Sequence, residues 1–262
     1  MIFIQPSIDP VIFSILFIEI RWYSLSYIIG LILGLYLIKK LNIYKGIIIQ
    51  TELLDSFFIW AVVGIILGGR IGYVLFYQSN LFLNNPIYIF EIWNGGMSFH
   101  GGLFGIIVSI YTFCKVNNIK FFFLADLISV VAPIGLFLGR IANFINTELI
   151  GRPTEFYIAV IYPSVDDIPR HPSQLYEAFF EGIVLFVILF LFFLHKSNLK
   201  NYGLVSGLFL TLYSLFRFSI EFLREPDLNL GLFYNFFSMG QILSIPLLVF
   251  GIFLILNNGY KK

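Results

Sequence analysis

The residues best equipped for chemistry lie where hydrocarbon would not accept them unaided. Tyr213, Arg217, Glu221 and Arg224 follow one another at offsets of 4, 4 and 3, so a helix puts all four on one stripe. An ionisable group inside a membrane span costs about 2.5–3.5 kcal/mol, which marks it as functional unless an ion pair explains it. An Arg217–Glu221 pair is the structural alternative. One carboxylate cannot neutralise two arginines, however, and planar guanidinium forks suit a phosphate. A second set occupies Gly139 to Arg152, where Arg140 and Asn143 stand one helical turn apart and Asn146, Glu148 and Gly151 follow. A lipid-facing surface would not tolerate these groups, so they face protein or a polar cavity. The stretch Gly95-Gly96-Met97-Ser98-Phe99-His100-Gly101-Gly102 holds a histidine able to act as general base or to orient a ligand. Tight helix packing by Gly101 and Gly102 is its bland counterpart. In Gly68-Gly69-Arg70-Ile71-Gly72-Tyr73 the arginine and tyrosine share a helical face, and Tyr23 opens another apolar run. Tyrosines at a span end otherwise serve as interfacial anchors.

Such groups need an apolar scaffold, and the composition supplies one. Hydrophobic residues make up 59% of the 262 residues and charged residues 12%, against about 25% charge in a soluble domain. Mean hydropathy is +0.91. Soluble globular and disordered classes are excluded, and a net charge of +1 offers no field for nucleic acid. The lone cysteine, Cys114, forms no intrachain disulfide, and the dispersed histidines His100, His171 and His195 argue against a metal site. Apolar runs at 22–38, 57–77, 97–114, 122–140, 178–194, 203–222 and 236–256 each approach the roughly 20 residues that cross a bilayer. The expected fold is an all-α polytopic membrane protein with about seven transmembrane helices. It forms a single membrane domain over 1–262, with an interfacial N-terminal arm over 1–20. A proline-rich, extracytoplasmic head over 141–177 sits between spans 4 and 5. The arm has no basic n-region or small-residue cleavage site and is not expected to be a signal peptide.

Charge sets the expected topology. All nine lysines fall after spans 1, 3, 5 or 7, which makes those loops cytoplasmic, the N-terminus external and the C-terminus cytoplasmic. The seven arginines lie in outer loops or toward the outer ends of spans. Arg70, His100, Arg140 and Arg217 thus come from four spans to similar depth, at the level of external phospholipid phosphates. A transporter would place such groups nearer the midplane. The residues alone describe an outer-leaflet site for an anionic lipid.

The same residues carry a family likeness. Gly139 to Gly151 matches the signature G-R-x-x-N-F-I-N-x-E-x-x-G, and His100-Gly101-Gly102-Leu103 matches a His-Gly-Gly-Leu motif. Arg170 to Glu177, Arg217 to Asp227, Trp22-Tyr23 and Gly68 to Tyr77 agree with further segments in the same order. The sequence resembles the bacterial prolipoprotein diacylglyceryl transferases along nearly its whole length. The resemblance implies a multi-pass enzyme of the inner membrane with an outward-facing site. It would move the sn-1,2-diacylglyceryl group from phosphatidylglycerol to the lipobox cysteine of a prolipoprotein signal peptide. The products would be a thioether and glycerol 1-phosphate, and no cofactor or metal is implied. By position, Arg140, Arg217 and His100 match the family's essential arginines and histidine, and Arg140 its phosphatidylglycerol-binding position. Tyr23, Asn143 and Gly151 match further important residues, with Glu148, Tyr213 and Glu221 beside them.

The chemistry expected is attack by a thiol on an sp³ glyceryl carbon, limited by thiol ionisation and by charge building on the departing phosphate. Arg140 and Arg217 would clamp the phosphate, with Glu221 and Asn143 orienting them and Glu148 holding the Arg140 region. Arg70, Tyr73, Tyr213 and Arg224 are further substrate-binding candidates. Either His100 takes the thiol proton, or an arginine's field activates the thiol and His100 only positions lipid. Two rivals are an anionic-lipid transporter, which needs a polar path to the cytoplasmic side, and a signal-peptide-binding chaperone, which leaves the outer arginines unexplained.

Overall fold

In hydrocarbon a backbone N–H or C=O has only its own chain as partner, so the apolar runs become helices. The computed structural model describes residues 3–15, 18–46, 48–91, 96–195, 202–226 and 236–259. Its helices are α1 (Trp22–Tyr44), α2 (Thr51–Tyr77), α3 (Ser79–Asn84), α4 (Phe99–Val116), α5 (Phe121–Ile145), α6 (Ser173–Glu177), α7 (Leu185–Leu194), α8 (Leu204–Ile220) and α9 (Met239–Gly259). A π-helical stretch, Ala178–Val184, joins α6 to α7 in one rod. Among the described residues, five helices are long and apolar enough to cross a membrane: Trp22–Tyr44, Thr51–Phe76, Phe121–Ile145, Ser173–Leu194 and Met239–Asn257. Two apolar helices, Gly101–Val116 and Leu204–Ile220, are shorter. Every apolar run in the sequence therefore coincides with a helix, and five of them reach spanning length. Large apolar side chains such as Phe76 (80% exposed) and Phe104 (68%) point outward, a surface suited to acyl chains rather than water.

Two details differ from the sequence reading. The fifth span begins at Ser173 rather than 178, which moves Glu177 from the head into a helix. The N-terminal arm is β-structured: β1 (Phe3–Ile4), β2 (Val11–Ile15) and β3 (Ile18–Arg21). β2 and β3 form an antiparallel hairpin, and β1 pairs in parallel with β4 (Val160–Ile161). Alternating Val, Ile and Phe suit a pleated, half-exposed surface, and non-local pairing with β4 could not be read from local periodicity.

The chain divides into two compact units, Lys39–Ala125 and Met1–Ile38 with Asp126–Lys262. In the first, α2 and α4 meet through glycines. A Cβ on Gly72 would lie 2.8 Å from the Gly101 Cα, and one on Gly105 would lie 3.1 Å from the Gly68 Cα. The four-residue spacing of Gly64, Gly68 and Gly72 against Gly101, Gly105 and Ser109 is the small-residue pattern that lets membrane helices approach backbone to backbone. Gly101 thus packs as its bland reading expected, whereas a Cβ on Gly102 would make only ordinary contact, at 3.6 Å.

In the second unit, Asp126 on α5 caps α8 from outside. Its carboxylate accepts hydrogen bonds from the backbone N–H of Gly203 and of Ser206, each 2.8 Å, and from Ser206 Oγ at 2.6 Å. A carboxylate at a helix N-terminus satisfies its unpaired donors and complements its dipole. This acidic residue near the start of an otherwise apolar helix has a local structural role.

Overpacking a close helix crossing costs about 1–3 kcal/mol. Gly105→Leu is therefore expected to lower the thermal unfolding midpoint of detergent-solubilised protein by several degrees, while Gly102→Ala leaves it nearly unchanged.

Candidate active site

The site is assembled by the turn after α5. Glu148 accepts hydrogen bonds from Asn143 Nδ2 (2.8 Å) and Asn146 Nδ2 (3.3 Å), and its backbone N–H donates to the Asn143 carbonyl at 2.9 Å. Thr147 and Leu149 adopt φ of 58° each, an uncommon conformation for residues with a Cβ and one that clusters at functional sites. The turn is pinned from several sides. Gln5 reaches the Phe144 carbonyl and accepts from Thr147 Oγ1, while Ser173 Oγ and Gln174 Nε2 donate to the Leu149 and Glu148 carbonyls, both at 2.6 Å. The Gly151 N–H donates to the His171 carbonyl at 3.1 Å, and a Cβ there would collide with His171. Gly151 also bridges to Arg224, and Arg152 Nε donates to the Arg224 carbonyl at 3.0 Å. Asn143 and Glu148 thus hold the turn itself, and Gly151 ties it to His171 and to the backbone at Arg224. They bind the ends of α5, α6 and α8 to one another.

What they bring together is a buried charge network. Arg140 Nε lies 3.0 Å from Glu177 Oε2, and Arg140 Nη2 donates to Glu181 Oε2 at 3.1 Å. Arg217 Nη1 pairs with Glu177 Oε1, and Arg217 Nη2 lies 2.7 Å from Glu221 Oε2. Arg224 Nη1 stands 4.0 Å from both Glu177 and Glu221. Glu177 and Glu181 have fully buried side chains, and those of the three arginines are at most 15% exposed. Tyr213 is within electrostatic reach of Glu181, Arg140 and Arg217, and Tyr23, bonded to the Tyr27 hydroxyl at 3.2 Å, is within reach of Glu148 and Arg140.

Two glycines admit the acids. Gly182 lies against α5 so closely that a Cβ would sit 2.6 Å from the Phe137 Cβ, one turn before Arg140. Gly240, in the first turn of α9, leaves room for Glu221, whose carboxylate carbon would be 2.8 Å from a Cβ there.

The remaining candidates lie in the Lys39–Ala125 unit. Arg70 is 2% exposed and donates to the carbonyls of Tyr88 (2.7 Å), Ile89 (3.2 Å) and Gly96 (3.5 Å). Its guanidinium also lies over the Tyr88 ring, 4.6 Å from the centroid. Arg70 therefore anchors the segment after α3. Tyr73 accepts a hydrogen bond from Gln78 at 3.3 Å. The His100 side chain lies outside the described residues; its backbone is in the first turn of α4, where Ser98 Oγ accepts from the Gly101 N–H at 3.2 Å.

Sequence reasoning missed Glu181 and assigned Glu177 to the head. The signal was present: two glutamates four apart at the start of an apolar run, the same spacing that marked α8. It also expected positive charge in excess, whereas three arginines face three glutamates.

The comparisons bear on what this network serves. The family described as prolipoprotein diacylglyceryl transferase matches residues 10–257. The chain belongs to that family. A phosphatidylglycerol--prolipoprotein diacylglyceryl transferase of Rickettsia felis is 52% identical over 98% of this chain and 99% of its own length. Proteins of the same name from Rickettsia rickettsii (strain Sheila Smith) and Rickettsia bellii (strain OSU 85-389) are 53% and 50% identical, each over 98% of this chain and 99% and 98% of their own lengths. Within the matched range, Gly139 to Gly151 comprises the end of α5 and the turn that assembles the network.

Outside the helices, the Arg170 guanidinium hydrogen-bonded to Asp166 holds that carboxyl below the usual carboxylate range. Arg170 also pairs with Glu225 at 2.5 Å. Because the Asp166 value is depressed on folding, its contribution is complete above the unfolded carboxylate value and is lost as pH falls through the folded one.

Removing one partner of a buried pair costs about 3–5 kcal/mol, whereas an exposed pair is worth at most about 1 kcal/mol. Glu177→Ala, which takes one buried partner from both Arg140 and Arg217, is expected to destabilise the solubilised protein far more than Glu225→Ala, whose side chain is 40% exposed. Thermal unfolding of the two variants side by side checks this.

Proposed function

We propose that this chain transfers the diacylglyceryl group of phosphatidylglycerol to the lipobox cysteine of a prolipoprotein, forming a thioether and releasing glycerol 1-phosphate. Similarity along nearly the whole chain to transferases named for these two substrates carries the reading. The charge network gives it a mechanism. Arg140 binds Glu177 through Nε and Glu181 through Nη2, which leaves Nη1 without a hydrogen bond among the described residues. The lipid phosphate enters against that edge and against Arg217. Both guanidiniums are held in place before substrate arrives, so they stabilise charge on the departing phosphate without reorganising. The nucleophile belongs to the substrate, in keeping with the buried position of Cys114.

Glu221 orients Arg217, Arg224 closes the network, and Tyr23 and Tyr213 flank it. Asn143, Glu148 and Gly151 hold the turn. His100 enters through its motif, either taking the thiol proton or positioning lipid, and Arg70 and Tyr73 shape the segment after α3. In this reading all seven apolar helices cross the bacterial cytoplasmic membrane, the N-terminus and the 141–177 head are external, and the C-terminus is cytoplasmic. A transporter would need a polar path inward, and Asp126, the acidic group noted there, is engaged as the cap of α8.

The test uses purified protein, phosphatidylglycerol and a lipobox peptide, with thioether formation read by mass spectrometry. Arg217→Lys keeps the charge but loses the fork that reaches two glutamates. It is expected to lower the transfer rate by about 100-fold or more, the scale for one transition-state donor. Absence of thioether with the unaltered protein overturns the reading.

A further inference from the structure

Transfer requires that a proton leave the thiol, and the network offers acceptors of unequal availability. Guanidiniums are donors only and cannot take it. Glu177 is held on both oxygens, by Arg140 and by Arg217. Glu221 is paired with Arg217 and faces Arg224. Glu148 accepts from two asparagines. Glu181 differs. Its Oε2 holds Arg140, while its Oε1 is buried and has no hydrogen bond among the described residues. A carboxylate oxygen without a partner in a buried site is costly to maintain, and catalytic sites are where such costs are retained. Glu181 also lies in the π-helical stretch Ala178–Val184, where the N–H of Leu185 reaches back to the Phe180 carbonyl. Such widened turns occur frequently at functional sites. Gly182, by admitting Phe137, brings this turn onto the Arg140 helix.

We propose that Glu181 is a catalytic residue of the transfer and that its Oε1 accepts the proton of the incoming cysteine thiol. The assignment rests on the reading above, in which Arg140 and Arg217 hold the lipid phosphate. A sulfur lone pair forms the C–S bond to the glyceryl carbon. The C–O bond to phosphate breaks, and its electron pair stays on the phosphate oxygen. The thiol proton passes to Glu181 Oε1 and from there to the departing phosphate monoester, whose second ionisation lies near pH 6. The carboxylate is regenerated, no other reactant is consumed, and the network returns to its starting charge. Arg140 couples the two halves, since it touches the acceptor on one edge and offers the other edge to phosphate. His100 is left with the lipid-positioning role.

The experiment measures thioether formation by full-length Glu181→Gln and Glu181→Ala in detergent with phosphatidylglycerol and a lipobox peptide. It also measures binding of a non-reactive phosphonate analogue of phosphatidylglycerol. Glu181→Gln keeps an oxygen for Arg140 but no longer accepts a proton. Its kcat should fall about 100-fold or more, the usual scale for a general base, with analogue binding within about threefold of the unaltered protein. In Glu181→Ala, added formate should restore part of the rate, and weaker acids such as acetate should follow their basicity where size permits. That rescue requires folded protein and is not produced by a purely structural role. Glu181→Gln retaining its rate within a few-fold, or Glu181→Ala inert to every added carboxylate, overturns the assignment. Arg140→Ala and Arg217→Ala serve as a separate arm: if both bind the analogue as the unaltered protein does, the phosphate reading itself fails.

Discussion

Everything at this site depends on keeping three guanidiniums and three carboxylates out of water at once. Each buried ion costs several kcal/mol in lost hydration, and only close opposite charge offsets that. Arg140, Arg217 and Arg224 meet Glu177, Glu181 and Glu221 within 4.0 Å, with Glu177 near all three arginines. The arrangement is tight because it must be, and tightness fixes each guanidinium before substrate arrives. A clamp that needs no reorganisation at the moment of charge development is what a phosphate leaving group requires.

The rest of the unit exists to make that meeting possible. The charges come from α5, the α6–α7 rod and the end of α8 with the residues after it, so three helix ends must be held together. The Asn143–Glu148 turn does this with side-chain and backbone hydrogen bonds to Gln5, Ser173, Gln174 and the residues after α8. Glycines do the complementary work of removing bulk, Gly182 against Phe137 and Gly240 against Glu221. In the Lys39–Ala125 unit the same physics holds α2 to α4, where small residues replace the hydrophobic effect that lipid cannot supply.

A network that starts near neutrality alters how an anionic lipid is received. A positive cavity would bind phosphate strongly in both ground and transition states, which lowers KM without raising kcat. Here each arginine is already partly neutralised by a glutamate. In the proposed reading the net attraction would rise as negative charge accumulates on the leaving phosphate, so binding energy would be reserved for the transition state.

The sequence by itself determined the class of molecule, the seven apolar helical segments and the residues too polar for lipid, because insertion cost and helical spacing are local properties. Arg140, Arg217, Glu221 and Arg224 stood out on that ground alone, and the Gly139 to Gly151 signature pointed to the family. Tertiary structure decided the rest. It made Asn143, Glu148 and Gly151 the pins of a turn. It committed Arg70 to backbone carbonyls and paired the N-terminal arm with β4. It also drew Glu177 and Glu181 onto Arg140 and Arg217. Those outcomes depend on which helix faces meet, and a charge announces its presence in a sequence but not its partner. The partner follows from where backbones can approach, and at Gly182 and Gly240 only the packed helices reveal which side chain fills the space a Cβ would have taken.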